Sequence, residues 1–287
     1  MMEQPDLRQI FGSYVAWKVR KGTWFINFMN GSENMYLLEG SKRALLIDTG
    51  YGTGTLRAFV EGLTDKPVLV VNTHFHPDHA AGNGEFEEVS MSSGAPVDYP
   101  SIGTNTPFDL NALPYPDYKK NFIGEGYVFD LGEREVEVYD VLPAHCNSSL
   151  FFYDKKEKLF FCGDEFEAGQ VMMFDNSGNP DAPYEVGERL DNLYQNAKRI
   201  KGMEDQIEML LPNHNGYPIS MGYIDDFMEL VKHIYAGDAE IDDKLHHPFV
   251  EMDPKAPELC RVFWKDATIF IKKKEVLKVY GSGKKIG

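Results

Sequence analysis

The chain has 287 residues, is 43% hydrophobic and 26% charged, and carries a formal net charge of −16 at pH 7. That composition excludes an intrinsically disordered chain, and its surplus of carboxylates opposes the phosphate backbones that nucleic-acid binders neutralise with Lys and Arg, so nucleic acid is not an expected partner. Three cysteines, Cys146, Cys162 and Cys260, show no CxxC spacing and cannot all pair with one another, which excludes a disulfide framework or a cysteine-only zinc site.

No apolar run reaches the ~20 residues of a membrane helix, and the opening MMEQPDLRQI lacks the basic-then-apolar order of a secretory signal. The expectation is a cytoplasmic protein without a membrane partner, folded as a single domain over 1–287. From the N-terminus, TWFINFM, MYLLEG and RALLIDTG are separated by turn residues and predict an antiparallel β opening. Thr53 to Leu63 places Leu56, Phe59, Val60 and Leu63 on one helical face, and VLVVNTH after Pro67 predicts a buried strand that ends at His74.

The segment 92–127 interleaves prolines with aromatics and predicts an irregular loop insertion. Tyr99, Phe108, Tyr115, Tyr118 and Phe122 are its candidates for a lid over a substrate, with Met172 and Met173 extending the same wall; packing against the core accounts for these side chains equally well. Strands resume with EVEVYDVLP, SLFFYD and KLFFCGD, a helix follows in ERLDNLYQNAKRI, and IEMLLPNH is a short apolar strand. A helix is predicted over Tyr223 to Tyr235, and 261–280 alternates as a terminal strand pair, with the Lys272 to Lys274 run on its solvated edge.

Chemistry concentrates in residues 73–82, THFHPDHAAG, where three histidines and an aspartate follow a buried strand. A loop leaving a strand can aim His74 and His76 at one cation while Asp78 and His79 turn towards a second, and imidazole and carboxylate ligands suit zinc and similar divalent metals. Two neighbouring ions need a bridging oxygen and further histidines. His145, Asp164 and His214 each stand where a predicted strand gives way to a loop. His233, His246 and His247 match no motif and read as surface or packing residues.

HFHPDH, the His of PAHCNSS, the Asp of FFCGDEF and the His of LLPNHNG resemble, in order and spacing, the signature of the metallo-β-lactamase superfamily, and GSENMYLLEG and RALLIDTGYG extend the resemblance over roughly residues 20–235. It implies an α/β fold of the four-layer αβ/βα sandwich type. It further implies that His74, His76 and His145 hold one metal, that Asp78, His79 and His214 hold a second, that Asp164 bridges them, and that Asp48 supports the ligands from behind. Two divalent ions, zinc first with manganese or iron as alternatives, are the expected cofactors.

The resemblance implies a hydrolase in which a metal-bridging hydroxide attacks an ester-like bond, a lactone, thioester or aryl ester, in a small and rather apolar substrate. Asp78 or a bound water is the candidate proton donor to the leaving group. The bridging Asp164 places the chain nearer the glyoxalase II and lactonase branches than the true β-lactamases, and the negative charge opposes the RNA-processing branch. The diiron flavoproteins carry Glu where this chain has His76. A mononuclear iron sulfur dioxygenase and a non-catalytic small-molecule binding protein remain alternatives, and a homo-oligomer built on the terminal strands is open.

Overall fold

The computed structural model describes residues 14–28, 33–95, 113–115, 117–168, 170–173, 185–242 and 259–287. Among them, seven strands form a first sheet in chain order: β1 (Tyr14–Arg20), β2 (Thr23–Phe28), β3 (Asn34–Glu39), β4 (Ala44–Ile47), β5 (Val68–Val71), β6 (Glu88–Ser92) and β7 (Lys119–Ile123). The ladders are antiparallel from β1 to β4 and parallel from β4 to β7. The short helix α1 (Leu56–Glu61) makes the crossover from β4 to β5.

A second sheet adds β8 (Val128–Asp130), β9 (Glu135–Asp140), β10 (Leu150–Asp154), β11 (Leu159–Gly163) and, beyond β12 (Val171–Met172), β13 (Met209–Pro212), in the spatial order β13-β11-β10-β9-β8. The third sheet joins β12 to a C-terminal hairpin and one more strand, in the order β12-β16 (Ala267–Lys272), β15 (Leu259–Trp264) and β14 (Glu240–Asp242).

Side-chain alternation sorts the core into layers. Tyr36, Leu38, Leu45, Ile47 and Val71 from the first sheet pack against Val136, Val138, Leu150, Phe152, Phe161 and Leu211 from the second. The alternate residues Leu37, Leu46 and Val70 face Leu56 and Val60 of α1. On the far side of the second sheet, Phe151, Phe160, Cys162 and Leu210 meet the helices α3 (Val186–Lys201) and α4 (Met221–Ala236), which also carry the third sheet through Cys260, Val262, Ile269 and Ile271. The label α2 is kept for Pro77–Ala80, the single turn beside the site. Helix on sheet on sheet on helix is the α/β sandwich the sequence leads one to expect.

Strands buried on both faces have no polar side to show, and β4 (ALLI), β10 (LFFYD) and β11 (LFFCG) are buried throughout. The edge strand β7 is the opposite case: KKNFI exposes Phe122 at 55%, and it lies inside the stretch expected to be irregular. Its polar residues hid it, because an edge strand needs no apolar alternation. At the C-terminus the strand pair ends at Lys272 rather than near 280; Lys273–Val276 is the helical turn α5, after which Gly281 and Gly283 donate to the carbonyls of Ile234 and Tyr235 on α4. The lysine run is therefore part strand end and part helix, with Lys278 paired to Glu275 and Lys284 to Asp191.

At the end of the sheets away from the ligand cluster, Arg134 ties the two together. Its guanidinium donates to Asp154 Oδ2 (2.5 and 2.8 Å), Thr23 Oγ1 (2.6 Å) and the carbonyls of Gly22 and Glu39. With both side chains almost fully buried, every donor finding an acceptor is what makes the ion pair tolerable.

Candidate metal centre

Strand polarity gathers the candidate ligands at one end. β4 and β5 are parallel, as are β11 and β13, and β9 runs with β11 because both are antiparallel to β10. Asp48 follows β4, the 74–79 segment follows β5, His145 follows β9, Asp164 follows β11 and His214 follows β13. Cross-sheet bonds close this end: Leu150 N donates to Thr73 O (2.7 Å), Asn34 N to Asn213 O (2.6 Å) and the Tyr36 hydroxyl to Pro212 O (2.6 Å).

Three groups able to hold a cation result, each with ligand atoms within 4.8 Å of one another: His74, His76 and His145; His74, His79 and Asp164; and Asp78, His79 and His214. The Nε2 atoms of His74 and His145 each lie 3.1 Å from Nδ1 of His76. His79 and His214 face each other through their Nε2 atoms at 3.0 Å, with Oδ2 of Asp78 at 3.5 and 3.3 Å from the two. Asp164 Oδ2 reaches both halves, at 3.6 Å from His74, 3.7 Å from His145, 3.3 Å from His79 and 3.2 Å from His214.

The surroundings show that these rings fit a cation. His145 Nδ1 lies 2.7 Å from the carbonyl of Met172, so it carries the proton and its Nε2 presents a lone pair. Thr73 Oγ1 donates to Asp48 Oδ2 (2.6 Å) and therefore accepts from His74 Nδ1 (3.1 Å), which leaves the lone pair of His74 on Nε2 as well. His79 Nδ1 meets the Asp48 carboxylate at 3.0 Å. Acceptors behind the rings thus turn the lone pairs inward, where they repel one another unless a cation takes them up. Asp164 Oδ1 is buried without a hydrogen-bond partner. A carboxylate oxygen in that state suits a ligand.

Burial pulls His76 and His145 down to about 4 and His74 well below the usual imidazole range, so these three rings are neutral at pH 7. Burial acts on His79 and His214 in the same sense, but Asp164 and Asp78 outweigh it and push both well above that range. Against the desolvation that would raise them, the same histidines hold Asp78 and Asp164 ionised, well below the carboxylate range.

The structure brings together all seven sequence candidates, and it places Asp48 behind them. Asp48 accepts from Thr73 N (2.7 Å), Thr73 Oγ1 and Asn213 Nδ2 (2.7 Å) and adopts a left-handed backbone, φ 65°. The aromatic candidates fall elsewhere. Tyr118 is buried on the α1 side of the first sheet and accepts from Asn83 Nδ2 (3.2 Å), Tyr115 donates to Glu87 (2.8 Å) under Arg57, and Phe122 is exposed on the edge strand. Their contacts are thus with the outer side and edge of the first sheet; Tyr99 and Phe108 lie outside the described residues. Met172 meets His145 through its carbonyl and packs its side chain on Leu259 and Phe270, and Met173 is buried in the helix-side core. His233 stacks on Trp264 at 3.4 Å, away from the ligands; His246 and His247 are outside the described residues.

Sequence reading missed Thr73, Asn213, Glu165 and Glu167. The first two adjoin ligands, and the acids of DEFE sit in an apolar context that could have drawn notice; Glu165 accepts from Ser149 Oγ (2.7 Å) and from His145 N (3.2 Å), and Glu167 accepts from Asn215 (2.6 Å). Asn72 and Asn83, which bond one another beneath the 74–79 segment at 2.8 Å, carry no such signal.

An α/β sandwich with overlapping groups of candidate cation ligands at its strand ends defines the class of protein. Residues 29–214 match the metallo-beta-lactamase superfamily, and the chain belongs to it. It is similar to the acyl-coenzyme A thioesterase MBLAC2 of Gallus gallus, 26% identical over 209 residues that cover 63% of this chain and 72% of that protein. A hydroxyacylglutathione hydrolase of Erythrobacter litoralis is 31% identical over 105 residues, 36% of each chain. Among solved structures, a metallo-beta-lactamase from Pontibacter korlensis shares the fold with a TM-score of 0.57 at 19% identity, covering 77% of this chain and 99% of that one. The DIM-1 metallo-beta-lactamase gives 0.53 at 18% identity, with 76% and 97% covered.

Proposed function

We propose that this protein is a binuclear metal-dependent hydrolase of small thioesters. The observation that carries the reading is the position of Asp164 Oδ2, within 3.2–3.7 Å of a ring nitrogen on four histidines drawn from both halves of the cluster. A carboxylate so placed is suited to bridging two divalent ions, zinc being the first choice for this ligand set. When bound, such ions supply an acidified water and polarise the carbonyl under attack.

The chain's own groups do the rest. His74, His76 and His145 offer neutral rings on one side, with His74 fixed by Thr73 and His145 by Met172. Asp78, whose side chain is 26% exposed against 6% for Asp164, is the acid of the cluster most open to an arriving molecule. His79 and His214 hold it ionised and well below the carboxylate range, so it is a poor acid at rest and a weak base. A thiolate, with an ordinary pKa of about 8.5, departs without the acid assistance an alkoxide needs. That chemistry favours a thioester over a lactone, whose leaving group is an alkoxide. The relatives point the same way, since one is named for thioesters of coenzyme A and the other for an acyl group carried on glutathione.

The test is metal content per chain on protein purified without added metal, run beside a panel of acyl-thioester, lactone, aryl ester and phosphodiester substrates. Two zinc or manganese ions, chelator-sensitive turnover of the thioesters, and a loss of about 100-fold or more in Asp164→Asn are expected. One iron per chain with oxygen uptake and no hydrolysis would replace the reading by a dioxygenase.

A further inference from the structure

Outside the seven candidate ligands, one buried acid stands apart. Glu33 is 1% exposed, and neither of its carboxyl oxygens has a hydrogen-bond partner among the described residues. Other buried acids near the cluster are satisfied: Glu165 by Ser149 and the His145 amide, Glu167 by Asn215, Asp48 by Thr73 and Asn213. Leaving both oxygens of a carboxyl unpaired in the interior is costly whether the group is ionised or neutral.

The backbone holds Glu33 at the second half of the cluster. Its carbonyl accepts from Asn27 (2.8 Å), and the next residue, Asn34, is bonded in both directions to Asn213, the neighbour of His214. The carboxyl lies against Gly50, where a Cβ would stand 3.4 Å from Oε1, so the absence of a side chain at that position leaves room for it. Burial pushes the carboxyl up to about 7; its own backbone amide opposes the rise, Asp78 adds to it, and His79 and His214, which with Asp78 make up one candidate cation group, oppose it.

We propose that Glu33 is a positioning residue for the cation held by Asp78, His79 and His214: it compensates that ion's charge without being one of its ligands, and the ion gives the unpaired carboxyl a stronger countercharge than the two histidines alone. The inference rests on the two-cation reading above and adds to it a residue that tunes one of the two sites. Field and geometry act in the same direction, since a carboxylate in a medium of low dielectric attracts a nearby divalent ion far more strongly than it would in water.

The test strips wild type, Glu33→Gln and Glu33→Asp with chelator, titrates each with Zn²⁺ by calorimetry, and records thermal unfolding with and without the metal. Wild type is expected to bind two ions. In Glu33→Gln one binding step weakens about ten-fold or more while the other stays within about two-fold, and Glu33→Asp recovers part of the loss. Stripped Glu33→Gln melts no lower than stripped wild type, because an amide replaces a charge the metal-free fold does not satisfy. Two steps unchanged in Glu33→Gln, or a stripped variant that melts several degrees lower or does not fold, would overturn the role of Glu33 and leave the two-cation reading standing. A wild type that binds fewer than two ions would overturn both.

Discussion

Nδ1 of His79 lies 3.0 Å from Oδ2 of Asp48, and the same carboxylate accepts from Thr73 and from Asn213. Asp48 follows β4 in the first sheet, whereas Asn213 follows β13 in the second and precedes His214. One buried acid therefore fixes ligand-bearing segments from both sheets. Asp48→Asn removes the charge and sets a second donor against those of Thr73 and Asn213. Metal affinity is expected to fall 10- to 100-fold, and Asp48→Ala to lower the stability of the stripped protein by about 3 kcal/mol. Metal titration and urea unfolding measure the two effects, and unchanged values in both would show that the hub carries no strain of this kind.

The protonation pattern makes a separate prediction. His79 and His214 are both raised in pKa, and with their Nε2 atoms 3.0 Å apart one proton is shared between them. Loading with metal at pH 7 is expected to release about one proton from this pair and none from His74, His76 or His145. Calorimetry in two buffers of different ionisation enthalpy counts it, and a count of zero would contradict the assignment.

The three depressed histidines also set the pH dependence of the metal-free protein. Their folded pKa values, about 4 for His76 and His145, lie below the unfolded value near 6.5. The unfolded chain therefore takes up protons first as pH falls, so the stability these rings allow is complete above about 6.5 and is lost on the way down to about 4. The raised His79–His214 pair works in the opposite sense, and so do Glu33 and Glu165, which burial pushes up to about 7. Direct titration isolates the rings: in stripped, folded protein the imidazole signals of His76 and His145 are expected to stay neutral from pH 7 down to about 5, and protonation of either near 6.5 would overturn the assignment.

A fourth prediction concerns backbone contact. A Cβ on Gly82 would lie 2.2 Å from the carbonyl oxygen of Thr49, beside the bond from Gly82 N to Gly50 O. Gly82→Ala must push apart the Asp48 loop and the segment that carries Asp78 and His79, at a cost of about 3 kcal/mol or more. Gly126, with φ +79° and open space around its Cβ position, isolates backbone strain alone, about 1 kcal/mol in Gly126→Ala. Equal losses of stability in the two variants would remove close packing as the explanation.

The ligand set was legible because its chemistry is written locally. HFHPDH places four ligands within six residues, and His145, Asp164 and His214 each end an apolar run that reads as a strand. Strands buried on both faces, such as β10 and β11, announced themselves as continuous hydrophobic runs. The edge strand β7 did not, since an edge has a solvent face and a ladder partner on one side only, and its KKNFI carries little pattern.

What the sequence by itself determined, then, was which residues form the candidate cation cluster, the superfamily and the strands that build the centre of the sandwich. The tertiary structure decided which ring nitrogens face inward, that Asp48 joins the two sheets beneath the site, and that Glu33 is buried with its carboxyl unpaired among the described residues while the next residue is bonded to the neighbour of His214. Those relations hold between residues far apart in the chain, and they exist only once two sheets pack face to face and bring the ends of their strands together. Local pattern fixes which face of a strand is apolar, but the directions of lone pairs and the partners of buried carboxylates are set by neighbours that no local pattern names.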